Sequence, residues 1–144
     1  MKKISAILGL ALALGMGGTA RAQALQLITE EEAKLPSAVP SLTRGITRGP
    51  AVKLVSPDTV AKDAFAFKVE FEPRGGARID PASVKVTYLK KPAVDLTARL
   101  KPAIRPEGIE LAATSAPVGE HPIHVAVKDS EGREGTATFT LKVR

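Results

Sequence analysis

The sequence contains no cysteine, which excludes disulfide bonds, thiolate catalysis, cysteine-ligated zinc and lipid attachment through an amino-terminal cysteine. It also contains no tryptophan and one tyrosine, and aromatic residues make up 3% of its 144 residues. The hydrophobic core must therefore be built mainly from Val, Leu, Ile and Ala, together with four Phe. Without disulfides, a chain of this size depends on that core for its stability.

The excess of positive charge is small. Lys and Arg number 21 against 15 acidic residues, a formal net charge of +6. Lys2, Lys3 and Arg21 lie in a segment that we expect to be removed, which leaves 18 basic residues against 15 acidic ones, or +3. A charge this small gives little support for a polyanionic partner, and the few aromatic residues argue further against nucleic acid.

The amino-terminal segment has the composition of an export signal. Two lysines follow Met1, residues 4–14 are apolar except for two positions, and Ala20-Arg21-Ala22 forms an A-x-A cleavage site. The apolar run is far shorter than the roughly 20 residues of a membrane-spanning helix, and no later run reaches that length. We therefore predict a signal peptide over residues 1–22, a mature chain that starts at Gln23, and a periplasmic or secreted product without a membrane span.

Residues 23–50 differ from the rest of the chain. Thr29 and Glu32 have the spacing of a capping box and predict a short helix. Two Thr-Arg-Gly triplets, at residues 43–45 and 47–49, follow between prolines. Glycine and proline at this density are typical of a linker. The alternative is a basic arm that docks on a partner, as in an accessory subunit of an envelope complex.

From residue 51 onward, apolar and polar residues alternate. The clearest example places Phe65, Phe67, Val69 and Phe71 on one face of an extended segment, which predicts a half-buried strand. The other alternating sets are Val52/Leu54, Val84/Val86/Tyr88, Leu96/Ala98/Leu100, Ile109/Leu111/Ala113, Ile123/Val125/Val127 and Ala137/Phe139/Leu141/Val143. No stretch with helical periodicity separates them. Residues 51–144 are therefore predicted to form an all-β, antiparallel sandwich of about seven strands.

The last part of the chain resembles a known family. The stretch from Gly119 to Arg133 (GEHPIHVAVKDSEGR) and the strand that continues to Phe139 are similar to the ending of bacterial immunoglobulin-like domains of the cadherin and fibronectin type. Ser56-Pro57 is similar to their opening. The resemblance covers residues 51–144 in a single copy and implies an immunoglobulin-like β-sandwich. Such domains serve as adhesion modules, spacers and enzyme accessories, so the resemblance implies a binding or structural role without naming the partner.

Few residues are candidates for chemistry. His121 and His124 lie three apart on a predicted strand and should face opposite sides, so we expect no catalytic pair and no enzyme. They remain weak candidates for copper or zinc. Asp129 and Glu131 are weak candidates for calcium, which prefers about six to eight oxygen ligands. The simpler interpretation of both pairs is structural, and no cofactor is expected. The alternative function is a periplasmic carrier of copper or calcium.

A basic group is the main candidate for partner binding. It comprises Lys90, Lys91, Arg99, Lys101 and Arg105, with Arg99 and Lys101 on the outward face of one predicted strand. It could contact an envelope protein or an anionic envelope polymer. The competing interpretation is that these side chains protect an exposed sheet edge from aggregation. Together these observations predict a non-catalytic, exported binding or structural module of the bacterial cell envelope.

Overall fold

The computed structural model describes residues 25–38 and 48–144. The predicted signal peptide, Gln23 and the first Thr-Arg-Gly triplet lie outside the described residues. The described chain consists mostly of strands, so the all-β prediction is confirmed. In order, its elements are β1 (Leu25–Gln26), α1 (Glu30–Ala33), β2 (Ala51–Leu54), β3 (Thr59–Val60), β4 (Phe65–Glu72), β5 (Ile79–Tyr88), β6 (Val94–Asp95), α2 (Thr97–Leu100), a 3₁₀ turn (Lys101–Ala103), β7 (Ile104–Arg105), β8 (Gly108–Ser115), β9 (Gly119–Asp129) and β10 (Glu134–Val143).

The strands form two sheets. In the first, the order is β1–β8–β4–β2, and β7 pairs with the opposite end of β8. In the second, the order is β3–β10–β9–β5–β6. The long strands pair antiparallel, but β1 is parallel to β8 and β3 is parallel to β10. The prediction of a purely antiparallel sandwich is therefore wrong at these two edges, where long connections rather than tight turns join the partners.

One hydrophobic core contains buried residues from both sheets. Phe67 is 0% exposed, and its alternate neighbours Phe65, Val69 and Phe71 are also buried, as the alternation predicts. In β8 the prediction is wrong at one position, because Ala113 is exposed and Thr114 is buried instead. A bulge in the β4–β8 pairing shifts the register there. The Thr114 hydroxyl donates a hydrogen bond to the Phe65 carbonyl at 2.8 Å, which satisfies the buried group.

The prediction of a strand through Leu96, Ala98 and Leu100 is wrong, because this segment forms the helical turn α2. Leu96 and Leu100 are both buried, whereas Ala98 is exposed. Positions four apart share a face in a helix as well as in a strand, so two buried leucines fit either pattern. The side chain of Asp95 accepts a hydrogen bond from the Thr97 backbone at 2.9 Å and helps to start the turn.

Residues 25–38, which we call the clasp, join the two sheets along one side. β1 pairs with β8 of the first sheet, and the next amide, that of Leu27, donates to the Ser115 carbonyl at 2.9 Å. At the other end of the clasp, the Ala38 amide donates to the Leu89 carbonyl, beside the second sheet, at 3.0 Å. Between these contacts, Leu27 and Ile28 are both 0% exposed and belong to the core.

Two predictions for this segment have different outcomes. The capping box is confirmed, because the Thr29 side chain accepts from the Glu32 amide at 3.2 Å and the Thr29 amide donates to the Glu32 carboxylate at 3.0 Å. The interpretation of residues 23–50 as a linker is wrong for residues 25–38, because Leu27 and Ile28 fill space between the sheets. The folded unit therefore begins well before residue 51.

The helices of the described residues are short. α1 and α2 have four residues each, and no helix in these parts of the chain has the length and apolar character needed to cross a bilayer.

Candidate functional site

Lys90, the first member of the predicted basic group, points inward. It is 6% exposed, and its ammonium group lies 5.2 Å from the centre of the Tyr88 ring, within the range of a cation–π contact. The same ammonium donates hydrogen bonds to the Ala33 carbonyl at 3.2 Å and the Ser37 hydroxyl at 3.3 Å. Lys90 therefore holds the clasp.

Arg99 also binds the clasp. Both terminal nitrogens of its guanidinium contact the Glu32 carboxylate, one of them at 2.8 Å, and one also donates to the Leu27 carbonyl at 3.0 Å. The hydrogen bonds from Arg99 lower the pKa of Glu32 to about 2, against the opposing effect of partial burial. The acidic turn α1 is thus fixed to the helical turn α2 by a bidentate ion pair.

Glu32→Gln is expected to reduce the free energy of unfolding by about 1–2 kcal/mol at pH 7, after allowance for solvent screening. The folded-state pKa of about 2 lies below the ordinary value of 4.5, so this contribution is complete above pH 4.5 and is lost as the pH falls towards 2. Urea denaturation of wild type and variant at several pH values measures the difference. Glu30→Gln, an exposed change in the same turn, is the matched control. Equal effects of the two changes at pH 7 would contradict the assignment.

The remaining basic residues, Lys91, Lys101 and Arg105, are exposed but lie on different features of the surface. Lys101 lines a groove of about 510 Å³ beside α2, whereas Arg105 lines a larger groove near the turn before β8. The five basic residues therefore do not form one continuous exposed surface. Partner binding through the exposed Lys91, Lys101 and Arg105 stays a prediction.

His121 is a core residue with a defined hydrogen-bonding pattern. It is 2% exposed, its Nε2 lies 2.6 Å from the Pro117 carbonyl, and its Nδ1 lies 2.8 Å from the Tyr88 hydroxyl. A carbonyl only accepts, so Nε2 carries the proton and Nδ1 accepts from Tyr88. Burial lowers the pKa of His121, and the neutral ring is favoured. Burial also raises the pKa of Tyr88 to about 12, so its hydroxyl keeps its proton.

His124 lies on the opposite face of β9, as its spacing from His121 predicts. It is half-buried and its Nδ1 lies 2.8 Å from the Thr138 hydroxyl on β10. The two histidines therefore cannot bind one ion together.

The acidic pair Asp129 and Glu131 belongs to the hairpin between β9 and β10. The buried Asp129 carboxylate accepts from the Glu131 amide, the Arg133 amide and the Arg133 side chain at 2.9–3.0 Å. Burial alone would raise the pKa of Asp129, but these hydrogen bonds outweigh it and lower the pKa. Arg133 also contacts Glu131 at 2.8 Å. No three His, Asp or Glu side chains within residues 25–38 and 48–144 are grouped as metal ligands.

The larger groove has a volume of about 760 Å³ and lies where β4, the start of β5 and the β7–β8 turn meet. Its buried apolar side chains are those of Val69, Phe71, Ile79 and Ile109, and its exposed charged residues are Lys68, Glu70, Arg78, Arg105, Glu107 and Glu110. Of the candidate binding and metal residues predicted from sequence, only Arg105 lines this groove. The residues that line the groove come from three separate segments of the chain, so no local pattern in the sequence identifies it.

Gly108, which lines the groove, packs directly against the backbone of β4. A Cβ atom at this position would lie 2.0 Å from the Val69 carbonyl oxygen, and the residue has a φ of +153°. Glycine is therefore required where β8 meets β4.

Gly108→Ala is expected to lower the free energy of unfolding by about 3 kcal/mol, because the chain must move to avoid the clash and accommodate an unfavourable φ. Thermal unfolding followed by circular dichroism measures the effect. Gly76→Ala is the matched control, since Gly76 also has a positive φ but nothing lies within 4 Å of its Cβ position. If both variants lose the same stability, close packing at Gly108 is not the cause.

Fold and groove together define an all-β protein of two mixed sheets with a mixed-charge groove at one end. Compared with protein-family models, curated proteins and solved structures, the chain matches none of them.

Proposed function

We propose that this protein is an exported, non-catalytic binding module of the bacterial cell envelope, built on an immunoglobulin-like sandwich, and that it binds a protein partner in the larger groove. The strand order supports the family assignment. β7–β8–β4–β2 and β10–β9–β5 follow the two-sheet arrangement of immunoglobulin constant-type domains. In that arrangement β1 and β7 share the place of one edge strand beside β8.

The role of the buried polar groups supports a function without chemistry. Catalysis requires a group that is free to exchange protons with a substrate or attack it. The Tyr88 hydroxyl is hydrogen-bonded to His121, the Asp129 carboxylate accepts a hydrogen bond from Arg133, and the Lys90 ammonium donates a hydrogen bond to the clasp. Among the described residues, no buried side-chain nitrogen or oxygen lacks a hydrogen-bond partner. The buried side chains that could serve as catalytic acids, bases or nucleophiles are therefore occupied by hydrogen bonds within the fold.

The observation that carries the proposal is the composition of the groove. Its buried apolar residues lie among three exposed cations and three exposed anions, so the charged side chains have no net charge. An anionic polymer would be attracted by an excess of positive charge. A surface with an apolar centre and a polar rim of both signs resembles the anatomy of protein–protein interfaces. This favours a protein over an anionic envelope polymer as the partner.

The test is capture of partners from an envelope extract by the immobilised mature protein, followed by mass spectrometry. The variant with both Arg78→Glu and Arg105→Glu reverses two charges of the groove. The matched control, with Lys85→Glu and Lys142→Glu, makes the same change in net charge at exposed positions of the second sheet. We expect the groove variant to lose the captured protein and the control to retain it.

Two results would overturn the groove as the binding surface. One is retention of the partner by the groove variant. The other is loss of the partner when Lys91 and Lys101 are changed to Glu, which would assign binding to the predicted basic group. Anionic liposomes as a second probe test the polymer-like alternative, because binding that depends on Lys91, Lys101 and Arg105 would identify an anionic surface as the ligand.

Export is tested separately. The first described strand begins at Leu25, so cleavage after Ala22 would leave every described element intact. We expect the intact mass of the protein from a periplasmic fraction or culture medium to correspond to a chain that starts at Gln23. Recovery of the full-length chain in the cytoplasm would contradict this part of the proposal.

A further inference from the structure

A continuous series of contacts connects the buried His121 to the clasp. His121 accepts a hydrogen bond from the Tyr88 hydroxyl at 2.8 Å, and its ring packs edge-on against the Tyr88 ring with centroids 5.6 Å apart. The ammonium group of Lys90 lies 5.2 Å from the centre of the same Tyr88 ring. From there it reaches the Ala33 carbonyl and the Ser37 hydroxyl of the clasp at 3.2 and 3.3 Å.

Protonation of His121 is incompatible with this arrangement in two respects. A protonated imidazole donates from both nitrogens, so Nδ1 can no longer accept the Tyr88 hydrogen and the hydroxyl must reorient in a buried site. The added positive charge also lies against the ring that attracts Lys90, in a region where burial weakens screening. Both changes act on the contact between Lys90 and the Tyr88 ring, and the same Lys90 ammonium group binds the clasp through Ala33 and Ser37.

We propose that His121 is an acid-sensitive lock on the clasp: in mild acid it takes up a proton, Lys90 leaves the Tyr88 ring, and residues 25–38 detach from the sandwich. Detachment exposes the edge of β8 at Thr114 and Ser115 and the apolar space filled by Leu27 and Ile28. The protein thus has a closed form near neutral pH and an open form in mild acid. This inference does not depend on the identity of the groove's partner.

Tyr88 and Glu32, two other titratable groups in this region, keep their state in this pH range. Tyr88, on β5, has a pKa of about 12 and stays neutral. Glu32, on α1 of the clasp, has a pKa of about 2 and stays paired with Arg99 on α2. Burial is the largest cause that lowers the pKa of His121, and the positive charge of Lys90, which follows β5, lowers it further. Between pH 7.5 and 5.0, His121 is therefore the group of this set that changes charge.

The pH dependence of clasp opening follows from the difference in proton binding between the closed and open forms. A buried histidine with a lowered pKa binds fewer protons in the closed form than in an open form where it has its ordinary pKa of 6.5. The closed form is therefore fully favoured above pH 6.5. It loses this advantage as the pH falls from 6.5 to the lowered pKa that His121 has in the closed form. At pH 5.0 the opening equilibrium can increase by up to about 30-fold over that at pH 7.5.

Hydrogen–deuterium exchange of the mature protein at pH 7.5 and 5.0 tests the lock, with protection factors corrected for the pH dependence of intrinsic exchange. We expect protection of the Leu27 and Ala38 amides, both hydrogen-bonded to the sandwich, to fall at pH 5.0 by up to about 30-fold. Protection of the β9–β10 pair should change much less. His124→Gln, the matched control on the opposite face of β9, should behave like wild type.

His121→Gln cannot take up the proton and should remove the acid response while retaining a donor towards Pro117. If that variant does not fold, His121→Asn, which retains an acceptor towards Tyr88, is used in its place. Lys90→Met should loosen the clasp already at pH 7.5. The proposal is overturned if wild type keeps its protection of the clasp at pH 5.0, if the folded His121 variant loses protection to the same extent, or if His124→Gln abolishes the response.

Discussion

Phe67→Asp is expected to leave the protein unfolded at 25 °C. Phe67 is 0% exposed and packs against Phe139 of the opposite sheet, with ring centroids 6.2 Å apart. Even Phe→Ala in a core costs about 3–5 kcal/mol, and a carboxylate adds the penalty of burying an unpaired charge. Domains of this size have a total stability of about 5–15 kcal/mol. Loss of the β-sheet circular dichroism signal is the measurement.

Ala66→Asp is the matched control for Phe67→Asp. Ala66 is the neighbouring residue of β4 and is exposed on the other face of the sheet. The same charge placed there should change the free energy of unfolding by no more than about 0.5–1 kcal/mol. A folded Phe67→Asp protein with wild-type stability would refute the two-sheet core.

Leu27→Asp is expected to have the second largest effect. Leu27 is 0% exposed, and its backbone joins the clasp to Ser115 of the first sheet and, through its carbonyl, to Arg99. Removal of a buried leucine side chain costs about 2–5 kcal/mol, and the new carboxylate cannot be hydrated without detaching the segment. Urea denaturation of the mature protein should show a loss of at least about 3 kcal/mol.

Gln26→Asp controls for the added charge, because Gln26 precedes Leu27 and is exposed. Its midpoint of denaturation should stay close to that of wild type. If Leu27→Asp and Gln26→Asp have the same stability, residues 25–38 do not contribute to the core and the linker interpretation of the whole range 23–50 must be restored.

Local patterns in the sequence predicted the long strands well. Side chains alternate between the two faces of a strand, so the inward positions of β4, β9 and β10 follow from residue order alone. The capping box of α1 and the turn around Asp129 are also local, because their hydrogen bonds span three or four residues. Each of these features depends on neighbouring residues and on backbone geometry, both of which can be derived from the sequence.

The clasp illustrates what local patterns miss. Its apolar run is short, and two adjacent residues such as Leu27 and Ile28 show no periodicity that would identify them as core residues. Its anchors lie far along the chain, since Arg99 and Glu32 are separated by 67 residues and Lys90 and Ala33 by 57. The same basic side chains looked like a partner-binding surface because their acidic and carbonyl partners lay in a segment interpreted as a linker.

The sequence by itself therefore determined the all-β class, the inward faces of the main strands and the capping box of α1, since these depend on interactions over a few residues. Tertiary structure alone decided the parallel edge strands, the bulge at Thr114, the helical turn α2, the groove and the buried Tyr88–His121 contact. The physical reason is that burial and hydrogen bonding between distant segments determine these features. The energy of such contacts outweighs local preference wherever the two conflict.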